Sequence, residues 1–307
     1  MHLSVYLPLL LSALFGLIAP ALGQRLPPAA ATWLLSSGGV FAAAGSTASL
    51  ALLGFTLAGQ SRLLADRGHW SESTLRHADP VAAPVAAAAL AVLVVISTRV
   101  LVAGLRRLTA LRGAYRLAAA LPAPGGELAV IDDPAQHAYA VPGWPGRIVV
   151  TSGLLRSLPA SERRAVLAHE RAHLTHRHHL HHTVAQLAAA ANPLLRPIPA
   201  AVALSTERWA DEHAANTCRR DTVADALTHA VTSARSPATP AVVLAAAATD
   251  VVTRIRALRA PAPQLAMWRI ALLLGLLGAT GAAVLEAAHD TERLFELAQY
   301  AYRTQHR

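Results

Sequence analysis

The chain has a single cysteine and no lysine among its 307 residues, and only 5% of them are aromatic. A lone Cys218 excludes an intrachain disulfide and a cysteine-based zinc site, and it fits a reducing compartment. Charged residues are scarce at 15%, whereas apolar ones reach 54%, a balance foreign to ordinary soluble domains. The formal net charge of +9 raises nucleic acid as a partner. The arginines flank apolar runs, however, and no aromatic-interleaved basic patch or DNA-binding motif accompanies them. Direct nucleic-acid binding is therefore not expected.

Long apolar runs fill the gap left by charge. They predict transmembrane helices at about 3–23, 30–58 and 81–105, with a fourth at 264–289 built on the run Met267 to Ala288. The first run reads as a retained span rather than a signal peptide, because only His2 precedes it and no basic region does. Gly38, Gly39, Gly45 and Ser46 suit close helix packing in the second run. Arg106, Arg107, Arg112 and Arg116 follow the third run, and Arg254, Arg256, Arg259 and Arg269 surround the start of the fourth. The positive-inside rule then puts residues 106–263 in the cytoplasm. Both termini, the Gln60–Asp79 loop and the short tail 290–307 fall outside, and the lipid bilayer becomes a partner.

Between the third and fourth runs lies Ala165-Val-Leu-Ala-His-Glu-Arg-Ala-His-Leu174, which contains H-E-x-x-H. Positions i and i+4 share one face of a helix, so His169 and His173 can offer two imidazoles to one tetrahedral Zn2+. Glu170, next to the first ligand, is placed to act as general base on water. A catalytic zinc needs a third protein ligand, and Glu207 in Thr206-Glu-Arg-Trp-Ala-Asp-Glu-His-Ala214 supplies one. Asp211, one turn on, is placed to accept the free N–H of a ligating histidine. His213 is a further candidate, for polarising a scissile carbonyl. The intervening stretch Thr183 to Leu204 is apolar but broken by Pro193, Pro197 and Pro199. It is expected not to span, since one more crossing would part Glu207 from His169.

The pair His169-Glu-Arg-Ala-His173 and Glu207-Arg-Trp-Ala-Asp211 resembles the signatures of gluzincin membrane metallopeptidases. That group includes the HtpX-like and CAAX prenyl proteases and the BlaR/MecR-type sensor-transducers. Upstream, His137-Ala-Tyr-Ala-Val-Pro-Gly143 and Arg147-Ile-Val-Val-Thr-Ser-Gly-Leu-Leu155 are similar to the same family's N-A-F-A and I-x-V-T-x-G-L-L segments, with His137 in the place of the asparagine. The resemblance covers roughly residues 127–215. It implies one catalytic Zn2+ and hydrolysis of a protein or peptide. The arrangement of spans is most similar to the BlaR/MecR type, without the penicillin-binding sensor that follows the fourth helix there. Cleavage of a cytosolic transcriptional repressor is what that likeness implies, and membrane-protein quality control of the HtpX type is the alternative.

The expected fold is mainly α: a multi-span helical membrane protein carrying an α+β gluzincin metalloprotease domain, with a small β-sheet packed on the zinc-binding helix. Glu127 to Asp132 reads as a strand after the turn Pro124-Gly-Gly126, and 137–141 with 147–151 as a hairpin. Ala138, Tyr139 and Ala140 would form an edge able to hold an extended peptide. The zinc-binding helix is expected to start near Pro159–Ser161, with Ser161 able to cap it, and to run on through His176, His178, His179, His181 and His182. These histidines cover several faces and read as solvated surface. A second class of function, a non-catalytic membrane metal sensor, would use them instead. Ala224 to Ala248 is expected to be helical and to close the domain.

Overall fold

The computed structural model describes residues 4–122, 126–233, 241–261 and 265–305, and of residues 230–233 and 241–249 the backbone alone. α1 (Leu7–Gly23) leads into α2 (Pro28–Gly59), the short α3 (Arg62–Gly68) and α4 (Glu72–Ala78), and the long α5 (Ala83–Ala120). Proline stands in the first turn of α2 and α5, where its missing N–H is one that a helix leaves unpaired anyway. The apolar run of α5 ends near Leu105, but the helix continues through four arginines. It stops at Leu121, because Pro122 disfavours helical backbone in the residue before it.

A small sheet follows, made of β1 (Leu128–Ile131), β2 (Ala138–Val141) and β3 (Arg147–Thr151) in the order β1-β3-β2. β1 runs parallel to β3, and β2 antiparallel to it with Ala138 opposite Val150. β2 is thus an edge strand. Residues 124 and 125 of the expected Pro-Gly-Gly turn lie outside the described residues. Then come α6 (Ser152–Ser157), α7 (Ala160–Thr175), α8 (His178–Ala191), a single 3-10 turn (Pro193–Leu195) and α9 (Pro197–Ala215). α10 (Arg220–Ser233) and α11 (Ala241–Arg259) make the expected helical stretch over 224–248 helical wherever it is described; residues 234–240 lie outside the described residues. α12 (Met267–Gln305) completes the chain, carrying helix well past the apolar run.

α2, α5 and α12 are long and apolar enough to cross a membrane, and α1, at 17 residues, is a shorter apolar helix. The multi-pass membrane architecture with a small α+β unit matches the expected fold class. Exposed Val92, Val94, Val95 and Leu101 line the outer face of α5, a surface suited to lipid rather than water.

α8 and α9 form a hairpin that enters the bundle and turns back. Ala185, Ala188, Leu195, Ile198 and Val202 share one buried core with Phe15 and Ala19 of α1, Leu35 and Ala42 of α2, and Leu273 of α12. At the tip, Asn192 is 5% exposed. Its Nδ2 donates to Ser12 Oγ at 2.9 Å and Ser46 Oγ at 2.8 Å, while its Oδ1 accepts the Leu194 N–H at 2.9 Å. Both ends of the Asn192 amide are thereby met inside an apolar bundle, as polar groups at that depth require. Gly16 makes the approach possible. A Cβ there would lie 2.2 Å from the Leu194 carbonyl oxygen. The hairpin returns the chain to the end from which it left, so Glu207 comes back to His169.

The two ends of the bundle differ. At one, Arg208 and Arg269 donate to the Gln24 and Arg25 carbonyls at 2.8 and 2.7 Å. At the other, α4 packs on the second half of α12 through Leu75, Leu294 and Ala298.

Candidate metal centre

α7 begins at Ala160 with Pro159 at its N-cap, so Ser161 lies inside the first turn and does not cap it. Its apolar face, Ala165, Ala168 and Ala172, is buried, which turns His169 and His173 toward α9. Their Nε2 atoms lie 3.1 Å apart. Glu207 brings Oε2 to 3.5 Å from His169 Nε2 and Oε1 to 3.5 Å from His173 Nε2. Among the described residues these three are the one group whose ligand atoms converge within 4.8 Å. Ligands about 2.0–2.2 Å from a tetrahedral zinc lie about 3.3–3.6 Å from one another, so the spacing fits such an ion.

Charge fits as well. Glu207 and Asp211, both held ionised, outnumber the one guanidinium of Arg254 between them, which suits a divalent cation. Asp211 is 2% exposed and accepts His169 Nδ1–H at 3.0 Å, so a metal ion would take Nε2 in place of a proton. Burial opposes a charge on His169, but the hydrogen bonds to Asp211 and Glu207 outweigh it and raise its pKa to about 9. Burial likewise pushes Glu207 up, yet His169 and Arg254 hold it far below the usual carboxylate range. At Glu170 the pull of His169 and Arg254 is too weak to offset burial. Burial, with Glu207 adding to it, lifts its pKa to about 7 despite a backbone hydrogen bond from Ala140.

Two cavities flank His169 and Glu170. One, of about 310 Å3, is walled by Ala138, Leu154, Leu158, Val166, Val223 and Leu227. The other, of about 340 Å3, is lined by Ala140, Pro142, His178, His179 and His182. The β2 edge passes from the first to the second, with Tyr139 on its opposite face.

Arg254, on α11, was not singled out from the sequence beyond its charge. Its Nε and Nη2 donate to Asp211 Oδ2 and Oδ1 at 2.7 and 2.6 Å, and its Nη1 lies 2.9 Å from Glu207 Oε2. The only local signal is an arginine set among Val251, Val252 and Ile255.

The histidine tract also departs from expectation. The helix does not run through it: Arg177, at φ 50° and ψ 45°, breaks α7 from α8 in left-handed backbone. His178 and His181 are buried, not solvated. His181 Nδ1 meets Ser36 Oγ at 2.9 Å, His182 Nε2 meets Thr206 Oγ1 at 2.9 Å, and His178 Nδ1 lies 2.9 Å from His173 Nδ1. His213 sits 3.3 Å from His176 Nε2 and lines neither cavity. Two positions past Asp211 is about 200° around a helix, so it faces away from the cluster.

Residues 109–195 match the model of peptidase family M48. The match includes the H-E-x-x-H helix and stops before Glu207. No curated protein and no solved structure matches the chain. The family match, the His-His-Glu cluster and the three apolar helices together indicate a membrane-associated metallopeptidase.

Proposed function

We propose that this protein is a zinc-dependent endopeptidase that hydrolyses peptide bonds at the cytoplasmic face of a membrane. The observation that carries the reading is the convergence of His169, His173 and Glu207 with a buried carboxylate, Glu170, beside them whose pKa is raised to about 7. A zinc ion held by the three supplies Lewis-acid polarisation of a carbonyl and acidifies water. Glu170, lifted toward neutrality, takes a proton from water and returns it to the leaving amine. Asp211 fixes the His169 tautomer, and Arg254 holds Asp211 and Glu207 in place. The β2 edge, at Ala138 and Ala140, offers backbone groups to an extended substrate beside Glu170. We assign His213 no part in the reaction.

The substrate class is a protein or peptide reachable from the membrane surface, a transcriptional repressor by analogy with the sensor-transducers. Burial of His178 and His181, with His181 and His182 bonded to the Ser36 and Thr206 hydroxyls, favours this reading over a metal sensor, which would present the tract to solvent.

Purified protein in detergent is expected to cleave an unstructured protein such as casein, to stop with 1,10-phenanthroline and to resume when zinc is restored. Cleavage indifferent to the chelator would contradict the reading. Sidedness has its own test. Cys218 is the sole cysteine and is partly exposed. A membrane-impermeant maleimide is expected to label it only after cells are permeabilised, and labelling of intact cells would place the domain outside.

A further inference from the structure

His178 belongs to no motif, yet it is only 1% exposed and its Nδ1 lies 2.9 Å from Nδ1 of His173. The direction of that hydrogen bond is fixed by the cluster. His173 turns Nε2 toward His169 and Glu207, so a metal takes the Nε2 lone pair and the proton of His173 sits on Nδ1. His173 Nδ1–H therefore donates, and His178 Nδ1 accepts. His178 must then carry its own proton on Nε2, a buried atom with no protein partner among the described residues.

A histidine kept only for packing would satisfy both nitrogens or be replaced by an apolar ring. Leaving a buried donor without a protein partner is costly. The backbone is also shaped to deliver this ring. Arg177 takes the left-handed conformation that non-glycine residues rarely adopt, and it swings the first residue of α8 back over α7. Trp209 of α9 packs against the ring at 5.0 Å between centroids and holds its plane.

We propose that His178 is a positioning residue for the metal ligand His173, accepting its Nδ1–H and so fixing the tautomer that presents Nε2 to the ion. The two histidine ligands are then held by unlike partners, His169 by the charged Asp211 and His173 by a neutral imidazole. The proposal rests on the metal-centre reading given above.

The test is zinc affinity, measured by chelator competition on the full-length protein in detergent. The variants are His178→Phe, which keeps the ring and its packing but accepts nothing, and His178→Asn, whose side-chain oxygen falls near Nδ1. Glu207→Ala serves as the reference. His178→Phe is expected to weaken zinc binding 10–100-fold, the range for losing a partner of a ligating histidine, and His178→Asn to recover most of it. Zinc binding unchanged in His178→Phe, or equally weak in both His178 variants, would overturn the positioning role while a loss in Glu207→Ala leaves the centre standing. Equal binding in Glu207→Ala and wild type would instead remove the centre itself. If His178→Phe does not fold, nitrogen NMR of the histidine-labelled wild type decides. A coupling across the hydrogen bond between the two Nδ1 nuclei is expected, and its absence overturns the proposal.

Discussion

Replacing Glu170 with Gln is expected to leave one zinc bound and to lower the hydrolysis rate by about 10²–10⁴-fold, the usual worth of a positioned general acid–base. Gln matches Glu in size, so the half-buried position between β2 and α9 stays filled. It can still accept the Ala140 N–H, but it cannot take a proton. None of the three metal ligands is touched. Rate and zinc content measured on the same preparation therefore separate chemistry from assembly. A Glu170→Gln protein that held zinc and cleaved at the wild-type rate would remove Glu170 from the mechanism.

The second large effect belongs to Arg254. Its guanidinium makes two hydrogen bonds to the buried Asp211 and lies 2.9 Å from Oε2 of the half-buried Glu207. Arg254→Leu leaves the buried Asp211 carboxylate with His169 alone, a loss of up to about 3–5 kcal/mol when a buried pair is broken from one side. Arg254→Lys should rescue little, because an ammonium cannot reproduce the two-pronged geometry. Adding Asp211→Leu to Arg254→Leu removes both charges, and stability is expected to return in part. Zinc binding should not return, since His169 then lacks the acceptor for its Nδ1–H. Thermal unfolding and zinc content of the single and double variants check both halves. If stability stays lost in the double variant, Arg254 acts through something other than Asp211.

The centre was legible where one helix suffices to define it. His169 with His173, and Glu207 with Asp211, each stand four residues apart, and helical periodicity alone puts each pair on one face. Arg254 escaped because its meaning lies in a contact with Asp211, 43 positions away. Its sequence surroundings show only a charge near an apolar run, which topology already explained. His178 escaped for a different reason. A single helix through 176–182 spreads five histidines over every face, but the break at Arg177 resets the phase. After it, His178 and His182 share the metal side and His181 turns to Ser36. Arginine carries no signal for left-handed backbone, so nothing in the sequence marked that break.

The fold shows the same division. The apolar runs and short strands are local patterns, and they locate the helices and the sheet. The stretch from Thr183 to Leu204 has too many prolines for a simple span, and the sequence yields only that negative. Its positive description, a hairpin docked in the bundle, depends on Asn192 meeting Ser12 and Ser46 and on Gly16 admitting the Leu194 carbonyl. Those partners are more than a hundred residues away in sequence. The hairpin is also what joins membrane to chemistry, since α9 carries Glu207 on the end that emerges from it.

The most direct measurement is the zinc content of protein purified in detergent without a histidine tag, wild type beside Glu207→Ala. One tightly held zinc per chain in the wild type, gone in the variant, is the result this account predicts. Several easily chelated ions in both proteins would contradict it, since the metal would then belong to the histidine tract and not to the three-ligand centre.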